Sequence, residues 1–187
     1  EAQKEDRAEK RRQDESLIAA AEEFTQVCTE ILVASVDIKG AFNSIRDMWN
    51  NAMSKPDSAF EEKMEHGQKV AEAQMRIAGP LNRLKLTAPV HVCDAASKLS
   101  LAVIAVARVT TEPFALRAAQ VVASGELNEF MNVIREHIGQ AKYTEDDAKK
   151  AAFSFMDTLQ RQTDDFIEQS RDEMRAAGHS STPWDNY

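Results

Sequence analysis

The chain has 187 residues, of which 43% are hydrophobic, 29% charged and 6% aromatic, with a formal charge of −8 and a pI near 5.1. That apolar content can bury a core, which excludes intrinsic disorder, and six Gly with five Pro exclude collagen-like and low-complexity chains. Two Cys cannot frame a disulfide scaffold, and the acidic balance repels phosphate backbones, so no nucleic-acid partner is expected.

Residues 1–16 form a charged lead-in with six acidic and five basic side chains. It begins at Glu1 without a Met and reads as a piece of a longer product. It has no apolar h-region of the kind a signal peptide carries. Its i,i+4 pairs are mixed: Asp6–Lys10 attracts, whereas Glu1–Glu5 and Arg7–Arg11 repel. Such a segment barely supports an isolated helix and is expected to fray unless something holds it.

From Leu17 a heptad seam begins. Leu17, Ala21, Phe24, Cys28, Ile31, Ser35, Ile38, Phe42, Ile45, Trp49 and Ala52 alternate steps of four and three, with no Pro before Pro56. Joined to the lead-in, this predicts a very long first helix of about 50 residues, roughly 75 Å at 1.5 Å per residue. Its first fifteen residues then overhang the body, pair with another copy, or lead towards an upstream anchor.

Ser54-Lys55-Pro56-Asp57 breaks the chain, and a second helix carries Phe60, Met64, Gly67, Val70, Ala71, Gln74, Ile77, Leu81 and Leu84 on one face. Gly79-Pro80 inside it is expected to kink or split it. A third helix starts at Ala88-Pro89, with Thr87 or Ala88 as its cap. Its run Leu99–Ala107 is apolar almost all round and marks the helix as central, yet spans half the length a membrane helix needs.

Pro113 opens a fourth segment, which Ser124-Gly125 is expected to break or re-cap. Gly139 to Tyr143 reads as a loop. Thr144, followed by Glu145, Asp146 and Asp147, is a strong helix start: a hydroxyl cap with carboxylates in the positive end of the dipole. The last helix shows Ala148, Ala152, Phe155, Leu159, Thr163, Phe166, Ser170 and Met174 on one face, and the long first helix is its expected partner. Residues 179–187 form a tail without helical periodicity. The architecture is therefore all-α, an antiparallel bundle of four to six helices over 17–178.

Chemistry-bearing patterns are sparse. The residues three before His66, His91, His137 and His179 are Lys63, Ala88, Ile134 and Ala176, so the Glu-x-x-His pairs of a di-iron bundle are absent. Glu62, Glu65 and His66 form the best remaining cluster, since Glu62 and His66 are one turn apart and could share a divalent ion, but they lie in a charged stretch near a helix start, where a solvated face is the plainer account. His137, beside the Ile134/Ile138 stripe, reads as a satisfied boundary residue. Cys28 and Cys93 read as buried, reduced thiols, which suits a reducing, cytoplasmic compartment. There is no Gly-rich phosphate loop and no GxSxG elbow. No enzyme, cofactor or metal site is expected.

The remaining signals concern binding. Trp184 and Tyr187 in the tail are candidate aromatic anchors that no periodic face claims, and Trp49 is a third, though its place on the seam favours core packing. These features suggest a non-enzymatic scaffold with a protein partner or self-association through the seam. The alternative is a small-molecule-binding bundle with a pocket near Gly79-Pro80 lined by Met75, Ile77, Val103 and Phe114.

The lead-in Arg7–Glu15 running straight into a long amphipathic helix, and the junction Leu84-Lys85-Leu86-Thr87-Ala88-Pro89-Val90, carry a resemblance over residues 1–110. The chain resembles small actinobacterial and phage-borne proteins in which one N-terminal transmembrane helix precedes a helical bundle. The resemblance implies a membrane anchor upstream of Glu1 and a place at the cytoplasmic face. It transfers no site residues.

Overall fold

A computed structural model describes residues 2–35, 60–110, 113–144, 146–147, 154–176 and 178. Five helices carry them, and no strand occurs among the described residues: α1 Ala2–Ala34, α2 Phe60–Thr87, α3 Val90–Arg108, α4 Pro113–His137 and α5 Ser154–Ala176. The all-α class follows directly. Helix α1 is helical throughout its charged lead-in, and the continuation of the seam from Ile38 to Ala52 lies outside the described residues.

Side-chain pairs fix the order of the helices. Arg76 pairs with Glu30, and Arg83 Nη1 donates to Glu23 Oε2 at 2.6 Å. About two turns back along α1 thus matches two turns on along α2, so the two helices run antiparallel. Each pair is half-exposed and contributes at most about 1 kcal/mol; their value lies in setting register. The seam residues Leu17, Ala21, Phe24, Cys28, Ile31 and Ser35 are all buried, with Ala20 and Leu32 beside them. Over this stretch the heptad pattern is satisfied by packing within one chain.

On α2 the buried positions are Ala73, Ile77, Pro80 and Leu84, flanked by half-buried His66, Val70 and Leu81. The inward face is therefore rotated from the one the spacing predicts: Ala73 is inside in place of Gln74, and Met64 and Ala71 face water. Pro80 does not split the helix. It removes one amide donor, and burial of Ile77 and Leu84 on either side holds the turns together.

The expected caps of α3 are also corrected. Its N-cap is Pro89, extended at φ −63° and ψ 158°, without a side-chain cap bond. The Pro89 carbonyl accepts from the Val92 and Cys93 amides at 3.0 and 3.1 Å. Thr87 is no cap because its hydroxyl donates backwards to the Arg83 carbonyl at 3.0 Å. With so short a turn, α2 and α3 form a hairpin, and His66 near the start of α2 meets Arg108 at the end of α3. Val92, Ala95, Ala96, Leu99, Val103 and Val106 of α3 are buried against α1, α2 and α4, the central position expected of it. By length and composition α3 is also apolar enough to cross a membrane, but half of that window is buried inside the bundle.

Helix α4 returns antiparallel to α3, which brings His137 beside His91. Ser124-Gly125 neither breaks nor re-caps it. Leu116, Gln120, Ala123, Leu127, Phe130 and Ile134 bury one continuous stripe across that point, and this packing outweighs the roughly 1 kcal/mol that Gly costs a helix.

The loop that follows is heavily tied. Gly139, at φ 77°, donates to the Glu136 carbonyl (3.1 Å), and Gln140 donates to Arg135 (2.7 Å), which together make a Schellman C-terminus. Arg135 Nε donates to the Ala141 carbonyl at 2.7 Å, and its guanidinium lies 4.1 Å from the Tyr143 ring centre. Buried Asn132 accepts the Tyr143 amide at 2.8 Å. Thr144 then caps the next helical turn as expected, its hydroxyl accepting from the Asp147 amide at 3.1 Å.

Helix α5 lies on α4, where Asp164 takes two hydrogen bonds from Arg117 at 2.6 and 3.2 Å. Its main partner is therefore the fourth helix and not the first. Ile167 is buried, and Asp164, Arg171 and Met174 are half-buried, so charged positions outside the expected apolar face border the contact.

Candidate functional site

The three candidate protein-binding aromatics, Trp49, Trp184 and Tyr187, all lie outside the described residues. The chemistry that can be placed is carried by thiols, histidines and a cleft with charged residues in its lining.

Cys28 is fully buried on the α1 seam, and burial pushes its thiol up to about 12. A thiol that stays protonated at neutral pH is neither a nucleophile nor a metal ligand. Cys93 is free and half-buried, with Sγ 3.6 Å from the Ala88 carbonyl and 3.8 Å from that of Leu84. Cys28 is thus buried as the sequence suggests, whereas Cys93, expected to be buried too, is only partly covered because it sits in the first turn of α3 beside the α2–α3 turn.

The Glu62/Glu65/His66 cluster divides between different partners. Glu65 pairs with Lys69 at 3.1 Å on an exposed face. His66 Nε2 lies 3.0 Å from the Arg108 carbonyl, and since a carbonyl only accepts, that nitrogen carries the proton. Its Nδ1 sits 3.4 Å from the Thr110 hydroxyl. His66 thus closes the end of α3. The Glu62 side chain lies outside the described residues.

The described residues named for a pocket near Gly79-Pro80 divide between core and surface. Ile77 and Val103 belong to the packed core, while Met75 is 71% exposed. The side chain of Phe114 lies outside the described residues.

A cleft of about 540 Å³ opens elsewhere, between the first turns of α1, the α2–α3 turn and the end of α4. Asp6, Glu9, Lys10 and Asp14 of α1 line it together with Thr87 to Pro89 of the α2–α3 turn and His137 at the end of α4. The lead-in therefore flanks the body from Asp6 onwards and does not overhang it freely. Three carboxylates against one ammonium give the cleft a field that favours cations.

His137 is exposed, not the satisfied boundary residue the sequence suggests, and its ring centre lies 5.5 Å from that of His91, with the planes tilted by 47°. Sequence spacing gives no sign of this pair, because the two residues sit on different helices. The signal lies in the helix ends: Pro89 starts α3 and Gly139 stops α4, and an antiparallel hairpin places those two ends together. No group of three His, Cys, Asp or Glu close enough to hold a metal occurs among the described residues. Compared with protein-family models, curated proteins and solved structures, the chain matches none.

Proposed function

We propose that the chain is a non-enzymatic interaction bundle that holds another protein, or another copy of itself, on the outer faces of its helices. The observation that carries this reading is a set of large aliphatic side chains in water around the α2–α3 hairpin. Leu86 is 87% exposed, Val90 76% and Leu101 68%. Val90 and Leu101 are three turns apart and share one face of α3, with exposed Asp94, Lys98 and Arg108 around them. Apolar positions rimmed by charge are the composition of a protein-binding face.

Trp184, Tyr187 and Trp49 extend the reading as aromatic anchors, with Trp184 foremost. The resemblance adds a tether upstream of Glu1, from which the exposed first turns of α1 would lead to the bundle at the cytoplasmic face of a membrane.

Native mass spectrometry of the gene product, gently extracted from its host, tests the proposal. A discrete added protein mass, or a multiple of the subunit, is expected in the wild type and absent after Leu86→Glu and Leu101→Glu. A bare subunit in the wild type, or an added mass that survives both substitutions, overturns it. Unchanged binding after Trp184→Ala removes the tail from the interface.

A further inference from the structure

We infer that His91 and His137 form a two-histidine site for a divalent transition-metal ion of the imidazole-seeking kind, such as Zn²⁺ or Cu²⁺. The argument begins with distance. Two imidazoles on one tetrahedral ion, each with a metal–nitrogen bond of about 2.0–2.1 Å, hold their ring centres about 5.2 Å apart. The rings of His91 and His137 stand 5.5 Å apart, tilted by 47° and not stacked. A movement of a few tenths of an ångström on two exposed side chains brings them to that spacing.

The backbone beneath the pair is already fixed. His91 lies in the first turn of α3, shortly after Pro89, whose carbonyl takes two amide bonds. His137 ends α4 immediately before the Schellman turn at Gly139. Both ligands are thus carried on tied helix ends, so binding orders only side chains.

The second observation is the cleft. His137 is part of its lining, and Asp6, Glu9 and Asp14 outnumber Lys10 there. These carboxylates raise the local concentration of cations beside an imidazole pair. Because no third ligand lies within reach among the described residues, water takes the remaining positions, and the site is open and exchangeable. Neutral imidazole and water suit Zn²⁺ and Cu²⁺, whereas Mg²⁺ and Ca²⁺ prefer oxygen shells.

The test uses the full chain, with ZnCl₂ followed by calorimetry and CuSO₄ by electron paramagnetic resonance. One ion per chain is expected, with two nitrogen ligands on Cu²⁺. His91→Asn and His137→Asn should each weaken binding by at least about tenfold, with unchanged helical circular dichroism. Because both residues are exposed, these variants keep the core intact. Absence of binding, a spectrum with one nitrogen, or affinity that survives either substitution overturns the assignment.

Discussion

Phe24 of α1 meets Phe130 of α4 edge to face, with ring centres 5.3 Å apart and planes at 72°, both rings fully buried. The contact joins two helices far apart in the chain and closes the core around α3. An edge-to-face pair adds about 0.5–1.5 kcal/mol beyond the area it buries. Phe24→Ala and Phe130→Ala should each cost about 3–5 kcal/mol in urea unfolding. The double variant should cost less than the two singles together, by that pairwise amount. Strict additivity would show that the rings do not touch.

Two glycines should respond in opposite directions. Gly125 sits inside α4 with open space where a methyl group would project, so Gly125→Ala should stabilise by about 1 kcal/mol through helix propensity alone. Gly139 has the same open space but a φ of +77°. Gly139→Ala should therefore destabilise by about 1–2 kcal/mol. Thermal melts would read these as shifts of about 2–4 °C per kcal/mol, upward for the first and downward for the second.

Those glycines also show what was legible in the sequence. Heptad spacing located the inward face of α1 from Leu17 to Ser35 because regular burial leaves a regular pattern. Thr144 was legible as a cap because its chemistry is local. Gly125 misled, since a break signal of about 1 kcal/mol is outweighed by a buried stripe whose depth the sequence does not state. Nothing in the spacing of the last helix marks Asp164 as a contact residue, because its partner, Arg117, lies on another helix. The His91–His137 pair leaves no mark in local spacing for the same reason: its proximity follows only once the helix ends at Pro89 and Gly139 are combined with antiparallel order.

The two cysteines should separate cleanly in reactivity. Cys28 is sealed in the core, and its thiol is raised to about 12 by burial, so neutral-pH alkylation requires the bundle to open. Cys93 is half-buried near the α2–α3 turn. Iodoacetamide labelling followed by peptide mass spectrometry should modify Cys93 first, with Cys28 labelled only as denaturant is raised. Equal rates in native buffer would contradict the seating of α1.

Acid should loosen the start of the last helical segment through one carboxylate. Hydrogen bonds from Thr144 hold the Asp147 carboxyl below its ordinary 3.8; the hydroxyl donates at 2.7 Å and the amide at 3.2 Å. A carboxyl lowered in the folded state contributes stability that is fully present above its unfolded value and is lost as pH falls through the folded value. The helix start therefore weakens on the acid side of pH 3.8. Lys142 has the opposite sign: its hydrogen bond to Glu136 raises it above 10.5, so its contribution is full below that value and fades at higher pH. Titrating the Asp147 side chain by NMR should give a midpoint below 3.8 that returns towards it in Thr144→Val. A wild-type midpoint at or above 3.8 would mean that the reciprocal Thr144–Asp147 cap is not formed in solution.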